Sequence, residues 1–191
     1  MTDMSAARMP MPPRGYLAVI RGIDKFTTFT GHIFVLAIIP LIFANVIEVF
    51  CRYVLWAPTI WALDVTTMSY ATLFMLGSAL ALLKGAHVRT DIFWDNYTER
   101  TKGSIDLVSY VLLFFPTMVT MFLISVDDAW SSFMLGERSQ ESIWRAIMWP
   151  FRASIPIAAL LFIIQGISEA LKCLYQIRFG REFQHREKIE V

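Results

Sequence analysis

Four stretches of this sequence, residues 26–47, 65–83, 107–126 and 153–168, contain no Asp, Glu, Lys or Arg, and every formal charge lies between or around them. They are 22, 19, 20 and 16 residues long. A helix needs about 20 apolar residues to cross a hydrocarbon layer of about 30 Å, so the first three suffice alone. The fourth suffices once Ala170, Leu171, Cys173 and Leu174, beyond Glu169, extend it and its charged ends reach for the headgroups. Inside lipid every backbone amide and carbonyl must be paired within the chain, which selects helices for segments of this length. A soluble protein with four deeply buried core helices is the competing reading, but four such runs in 191 residues favour the membrane. Composition agrees: 56% of residues are hydrophobic, 17% are charged and the mean hydropathy is +0.53, whereas soluble domains carry about 25% charged residues. The expected fold class is all-α, a single polytopic membrane domain. Its spans are expected at about 26–50, 62–84, 105–126 and 151–175, with a tail over 176–191.

The distribution of Lys and Arg orients these spans. Thirteen of the 17 lie in the N-terminal segment, the connection between the second and third spans, and the C-terminal segment; only Arg52, Arg138, Arg145 and Arg152 lie in the other two connections. The positive-inside bias then places both termini in the cytoplasm. Trp56, Trp61, Trp94, Trp130, Trp144 and Trp149 all flank spans and read as interfacial anchors among membrane lipids. Residues 1–13 are polar and proline-rich without a secretory pattern, so the first span is expected to be retained. A net charge of +1 gives no reason to expect nucleic acid as a partner.

Within the spans, Pro40, Pro116 and Pro156 each remove a helical donor and predict local bends rather than breaks. Gly77 either admits a close helix neighbour or is ordinary membrane-helix composition. Between the third and fourth spans, residues 127–150 place Trp130, Phe133 and Met134, then Ile143, Trp144, Ile147 and Met148, at helical spacings around the polar turn Glu137, Arg138, Gln140 and Glu141. This predicts an amphipathic interfacial helix between spans three and four; a packed loop is the alternative. The mixed charges of the tail predict a solvated end, with contact to anionic headgroups as the other reading.

Several chemistries lack their parts. Cys51 and Cys173 fall at opposite ends of the bundle, so a disulfide-exchanging pair is not expected. His32, His87 and His185 do not form facing pairs for haem, and no glycine-rich phosphate loop is present. No catalytic constellation, metal or cofactor is expected, and the chain is not read as an enzyme. The middle of each span is expected to be free of ionisable side chains, leaving little for an ion path through this chain alone. Glu48 and Arg52, four residues apart, can pair along one helix face.

The first two spans carry a recurrent set of residues: Arg52-Tyr53, then Trp61 three positions before Asp64, then Gly77, and then Gly85-Ala86-His87-Val88-Arg89-Thr90-Asp91. In these features, and in Trp149-Pro150-Phe151-Arg152 at the start of the fourth span, the chain resembles the small permease subunit of tripartite ATP-independent periplasmic (TRAP) transporters. That family more often has Glu where this chain has Asp64. The resemblance implies two partners, a large membrane subunit that carries the substrate and sodium sites and moves as an elevator, and a periplasmic substrate-binding protein. It also implies residence in the bacterial inner membrane.

On this reading the chain is a scaffold for sodium-coupled import of a small organic anion, a carboxylate or sulfonate, with no substrate site of its own. Arg52 and Asp64 are expected either to clasp spans one and two, or to clasp the partner, or to be ordinary interfacial charge. His87, Arg89 and Asp91 either fix the exit of span two, with Gly85 making the turn, or are solvated. Trp144, Arg145, Trp149 and Arg152 either dock the binding protein or anchor the chain in the interface. The alternative function is a free-standing four-helix membrane protein in assembly or signalling.

Overall fold

The computed structural model describes residues 14–85 and 97–180. Their helices are α1 (Arg14–Val35), α2 (Ile38–Tyr53), α3 (Ala62–Leu83), α4 (Glu99–Ser109), α5 (Phe115–Leu135) and α6 (Trp149–Phe179). A π-helical turn, Tyr110–Phe114, joins α4 to α5, and α2 follows α1 after a two-residue turn. Four helical units are thereby long and apolar enough to cross a membrane: Gly15–Tyr53, Ala62–Leu83, Arg100–Leu135 and Trp149–Phe179. At 1.5 Å per residue the 22 residues of Ala62–Leu83 extend about 33 Å, one hydrocarbon thickness. No strand is present among the described residues, so the all-α expectation holds.

Successive spans run antiparallel. Tyr16 on α1 reaches Leu171 on α6, and Thr27 reaches Gln165. One end of the bundle, here the terminal end, gathers Arg14, Gly85 and Gly180. The far end gathers the Tyr53–Ala62 connection and the loop 136–148. α6 is the central element: it packs on α1, α3, α4 and α5 and holds more buried residues than any other helix. The apolar core between α3 and α6 is small, built from Leu76, Ala79, Ala158 and Leu161 with Phe34 and Met75 against it. Outward faces such as Phe43, Val46, Leu112 and Leu123 are exposed and apolar, as lipid-facing helices require.

Close approach occurs at glycine, though not at Gly77, where an added Cβ would meet nothing within 4 Å. At Gly31 it would lie 2.9 Å from the Leu80 side chain, and at Gly166 it would lie 2.4 Å from the ring of Phe114. α1 therefore sits tightly on α3, and the Phe114 ring seats in the notch that Gly166 leaves in α6.

The expected interfacial helix between spans three and four does not form. Residues 127–135 prolong α5, and 136–148 is an irregular loop with one antiparallel bridge, Arg138 to Ile147. Gly136 at φ 59° ends α5 in the left-handed conformation that suits glycine, and its N–H bonds back to Phe133. The apolar spacing of 143–148 is real. A buried carboxylate, described next, gathers two hydroxyls and one backbone N–H of this segment.

Candidate functional site

At the far end, Trp61 is the residue before α3, and Asp64 lies in the first turn of that helix, only 3% exposed. Its carboxylate gathers the 136–148 loop. Oδ1 accepts from the Ser139 hydroxyl at 3.2 Å, and Oδ2 accepts from the Ser142 hydroxyl and from the Ala146 N–H at 3.3 Å. Ser139 N–H donates to the Ala146 carbonyl at 2.8 Å, closing the loop on itself. Arg145, inside this loop, is held at φ 52°, an uncommon conformation for a residue with a side chain. A carboxylate at a helix N-terminus also faces the positive end of the helix dipole. Beside it lies a cavity of about 370 Å³ whose lining includes Thr67, Glu137, Arg138 and Glu141.

Arg52 and Asp64 do not clasp each other. Arg52 pairs with Glu48 one turn away on α2, as their spacing predicts, and the other oxygen of Glu48 accepts from the Thr59 N–H at 3.0 Å and the Thr59 hydroxyl. Glu48 thereby ties α2 to the turn that leads into α3. Tyr53 ends α2 and is well exposed. Arg152, at the start of α6, forms ion pairs with Asp128 of α5 and with Glu137, the second at 2.6 Å. Trp149 packs edge-on against Phe133, with ring centroids 5.5 Å apart. Trp144 and Trp149 remain partly exposed.

At the terminal end, Gly85 takes φ 67° and closes the exit of α3 through its N–H to the Leu82 carbonyl, the tight turn expected of it. His87, Arg89 and Asp91, with Trp94 and the residues of the tail beyond Gly180, lie outside the described residues.

Charged side chains that border the uncharged runs meet between α1 and α6. The helix of the first span starts at Arg14, well before the uncharged run, so Asp24 lies within it and faces Glu169 and Lys172 of α6. Lys172 Nζ donates to Asp24 Oδ2 at 2.9 Å and to Glu169 Oε1 at 2.8 Å. Gln165 Nε2 donates to both carboxylates at 3.2 Å, and the Ser168 hydroxyl donates to Asp24 at 2.8 Å. The Thr27 hydroxyl donates to Gln165 Oε1 at 2.7 Å. All six side chains are buried. The signal for this network was present in the sequence: Gln165, Ser168, Glu169 and Lys172 stand at i, i+3, i+4 and i+7, one stripe of a helix. Its partner on α1 was hidden because Asp24 precedes the uncharged run.

Four helical units long and apolar enough to cross a membrane, stapled by polar contacts at both ends, define the class as a polytopic membrane protein. The family model described as the DctQ component of tripartite ATP-independent periplasmic transporters matches residues 41–175, which is 135 of 191 residues. The chain belongs to this family: it is a small-subunit component of a TRAP-type transporter. The match spans the second half of the first span through most of α6 and includes the Arg52, Trp61 and Asp64 positions. No curated protein matches the chain.

Proposed function

We propose that this chain is the static scaffold of a sodium-coupled importer of a small organic anion, a carboxylate or sulfonate. It would seat a large elevator-type membrane subunit in the bacterial inner membrane, with both termini cytoplasmic. The observation that carries this reading is membership of the DctQ family over residues 41–175. The build of the molecule supports it. Among the described residues Asp24, Glu169 and Lys172 pair with one another between α1 and α6, and the buried Asp64 is held by two loop hydroxyls and a backbone N–H, which favours a role in cohesion over a path for ions. At the far end the loop held by Asp64 presents Ile143, Trp144 and Arg145 outward beside the 370 Å³ cavity. That face is where a periplasmic binding protein would dock, with Trp149 and Arg152 placing the start of α6 behind it. Selectivity would reside in the partners, since no substrate site is assigned to this chain.

The test is uptake of radiolabelled carboxylates or sulfonates into liposomes holding the chain, its large subunit and the binding protein, each omitted in turn. The scaffold reading expects sodium-dependent uptake that disappears when this chain is omitted. Uptake that persists without it, or a chain that purifies stably without any larger membrane protein, would favour the free-standing alternative.

A further inference from the structure

α1 meets the rest of the bundle in two ways: at its Val35 end Gly31 and the half-buried Phe34 pack on α3 and the apolar core, whereas its face toward α6 is polar. Among its described residues only Ile20, Asp24, Thr27 and Gly31 are buried, one stripe at spacings of four, three and four. Ile20 is the only large apolar side chain among them, and Gly31 contributes no side chain. The buried side chains of α1 that bond to α6 are Asp24 and Thr27, each engaged in the network with Gln165, Ser168, Glu169 and Lys172. The Tyr16 hydroxyl adds one more bond, to the Leu171 carbonyl. Past Val35 the helix is interrupted: Leu36 and Ala37 bond back three residues, to Ile33 and Phe34, and α2 beyond them packs on α3. α1 is therefore an arm with a joint at one end and a polar seam along its length.

Two physical facts bear on what such a seam does. Apolar helix faces in lipid have little preference for one another over acyl chains, so apolar contact fixes rotation and axial position weakly. Buried ion pairs gain little stability over well-packed apolar residues, yet their directional bonds can specify register. From these we infer that Asp24, Thr27, Gln165, Ser168, Glu169 and Lys172 are a registry latch, which holds α1 at one rotational and axial setting on α6. The latch thereby fixes which face of α1, that of Phe26, Phe29 and Ile33, is turned outward. Two carboxylates share one ammonium, so sliding α1 by a turn would strand Asp24 away from Lys172 and leave no equivalent partner on that stripe. The inference rests on this geometry and is independent of the transport reading.

The test uses spin labels at Val19→Cys and Leu174→Cys, both exposed positions, in a C51A/C173A background. The full chain is reconstituted in lipid nanodiscs in whatever assembly it purifies in. Pulsed dipolar spectroscopy should give one narrow label-to-label distance. Replacing the charges by apolar residues, D24L/E169L/K172M, should split or broaden it, with a component displaced by about one helical turn, 5.4 Å. A single narrow distance at the parent value in that variant would overturn the latch, because packing alone would then set the register. The charge swap guards against a variant that fails to assemble. D24K, which puts two ammonium groups against one carboxylate, should lose the parent distance, and D24K/K172D, which restores the original composition, should recover it. If D24K retains that distance, or the swap does not recover it, the proposal is wrong.

Discussion

Asp64 and Arg152 both tie the far end together, but burial separates their weight. Asp64 is shielded from water and is the acceptor for two hydroxyls and a backbone N–H. Removing it leaves donors without acceptors, which costs about 1–3 kcal/mol. The ion pairs of Arg152 are partly exposed, and such pairs contribute about 0–1 kcal/mol. Asp64→Ala is therefore expected to lower the melting temperature in detergent more than Arg152→Ala, and to open the 136–148 loop to limited proteolysis while Arg152→Ala leaves it protected. Equal effects would mean that the carboxylate does not anchor the loop. The Trp61-to-Asp64 spacing was legible in the sequence. Its purpose was not, because the groups it binds lie 75 to 82 residues further along the chain. The Arg52–Glu48 pair was legible because both partners share one helix turn.

Proline shows how much a helix depends on its neighbours. Pro40, Pro116 and Pro156 remove the donors that would meet the carbonyls of Leu36, Leu112 and Arg152, and the chain answers in three ways. Before Pro40 the helix opens at Leu36 and Ala37; before Pro116 it widens into the π turn, with Phe115 N–H bonding to the Tyr110 carbonyl; through Pro156 α6 continues unbroken. The sequence predicts a bend rather than a break at each, and at Pro40 the α-helix is instead interrupted between Val35 and Ile38, where Leu36 and Ala37 bond back three residues. The π turn also carries Phe114 into the notch at Gly166. Gly166→Ala would place a methyl group 2.4 Å from that ring, and overpacking of this kind costs about 1–3 kcal/mol. Thermal unfolding should show the loss, and Phe114→Leu in the same chain should recover much of it. Additive losses in the double variant would mean that the two side chains do not compete for one space.

For the molecule as a whole, the arrangement of ends can be checked without the partners. In a C51A/C173A background, Ile143→Cys, at a position 87% exposed in the far loop, should react with a membrane-impermeant maleimide added to intact spheroplasts. A cysteine at Lys84, at the terminal end, should react only after permeabilisation. The reverse pattern would invert the orientation argued from Lys and Arg and place the termini outside. The same labelling separates a correctly inserted variant from a mis-inserted one, since span orientation is fixed by flanking charge rather than by tertiary contacts.

The sequence by itself determined that this chain is a four-helix membrane protein, because uncharged runs of membrane length admit helices and little else, and because family membership is carried in its residue pattern. It also determined local pairs such as Glu48 with Arg52, and turns such as that at Gly85. Only the tertiary structure decided that 136–148 folds as a loop around Asp64 rather than as an interfacial helix. It alone brought Asp24 to Glu169 and Lys172, about 145 residues away in the chain. Helical periodicity is a one-dimensional signal that reports which residues share a face. Which faces then meet depends on the bends, glycine notches and polar bonds that set one helix against another, and those exist only once the helices are packed.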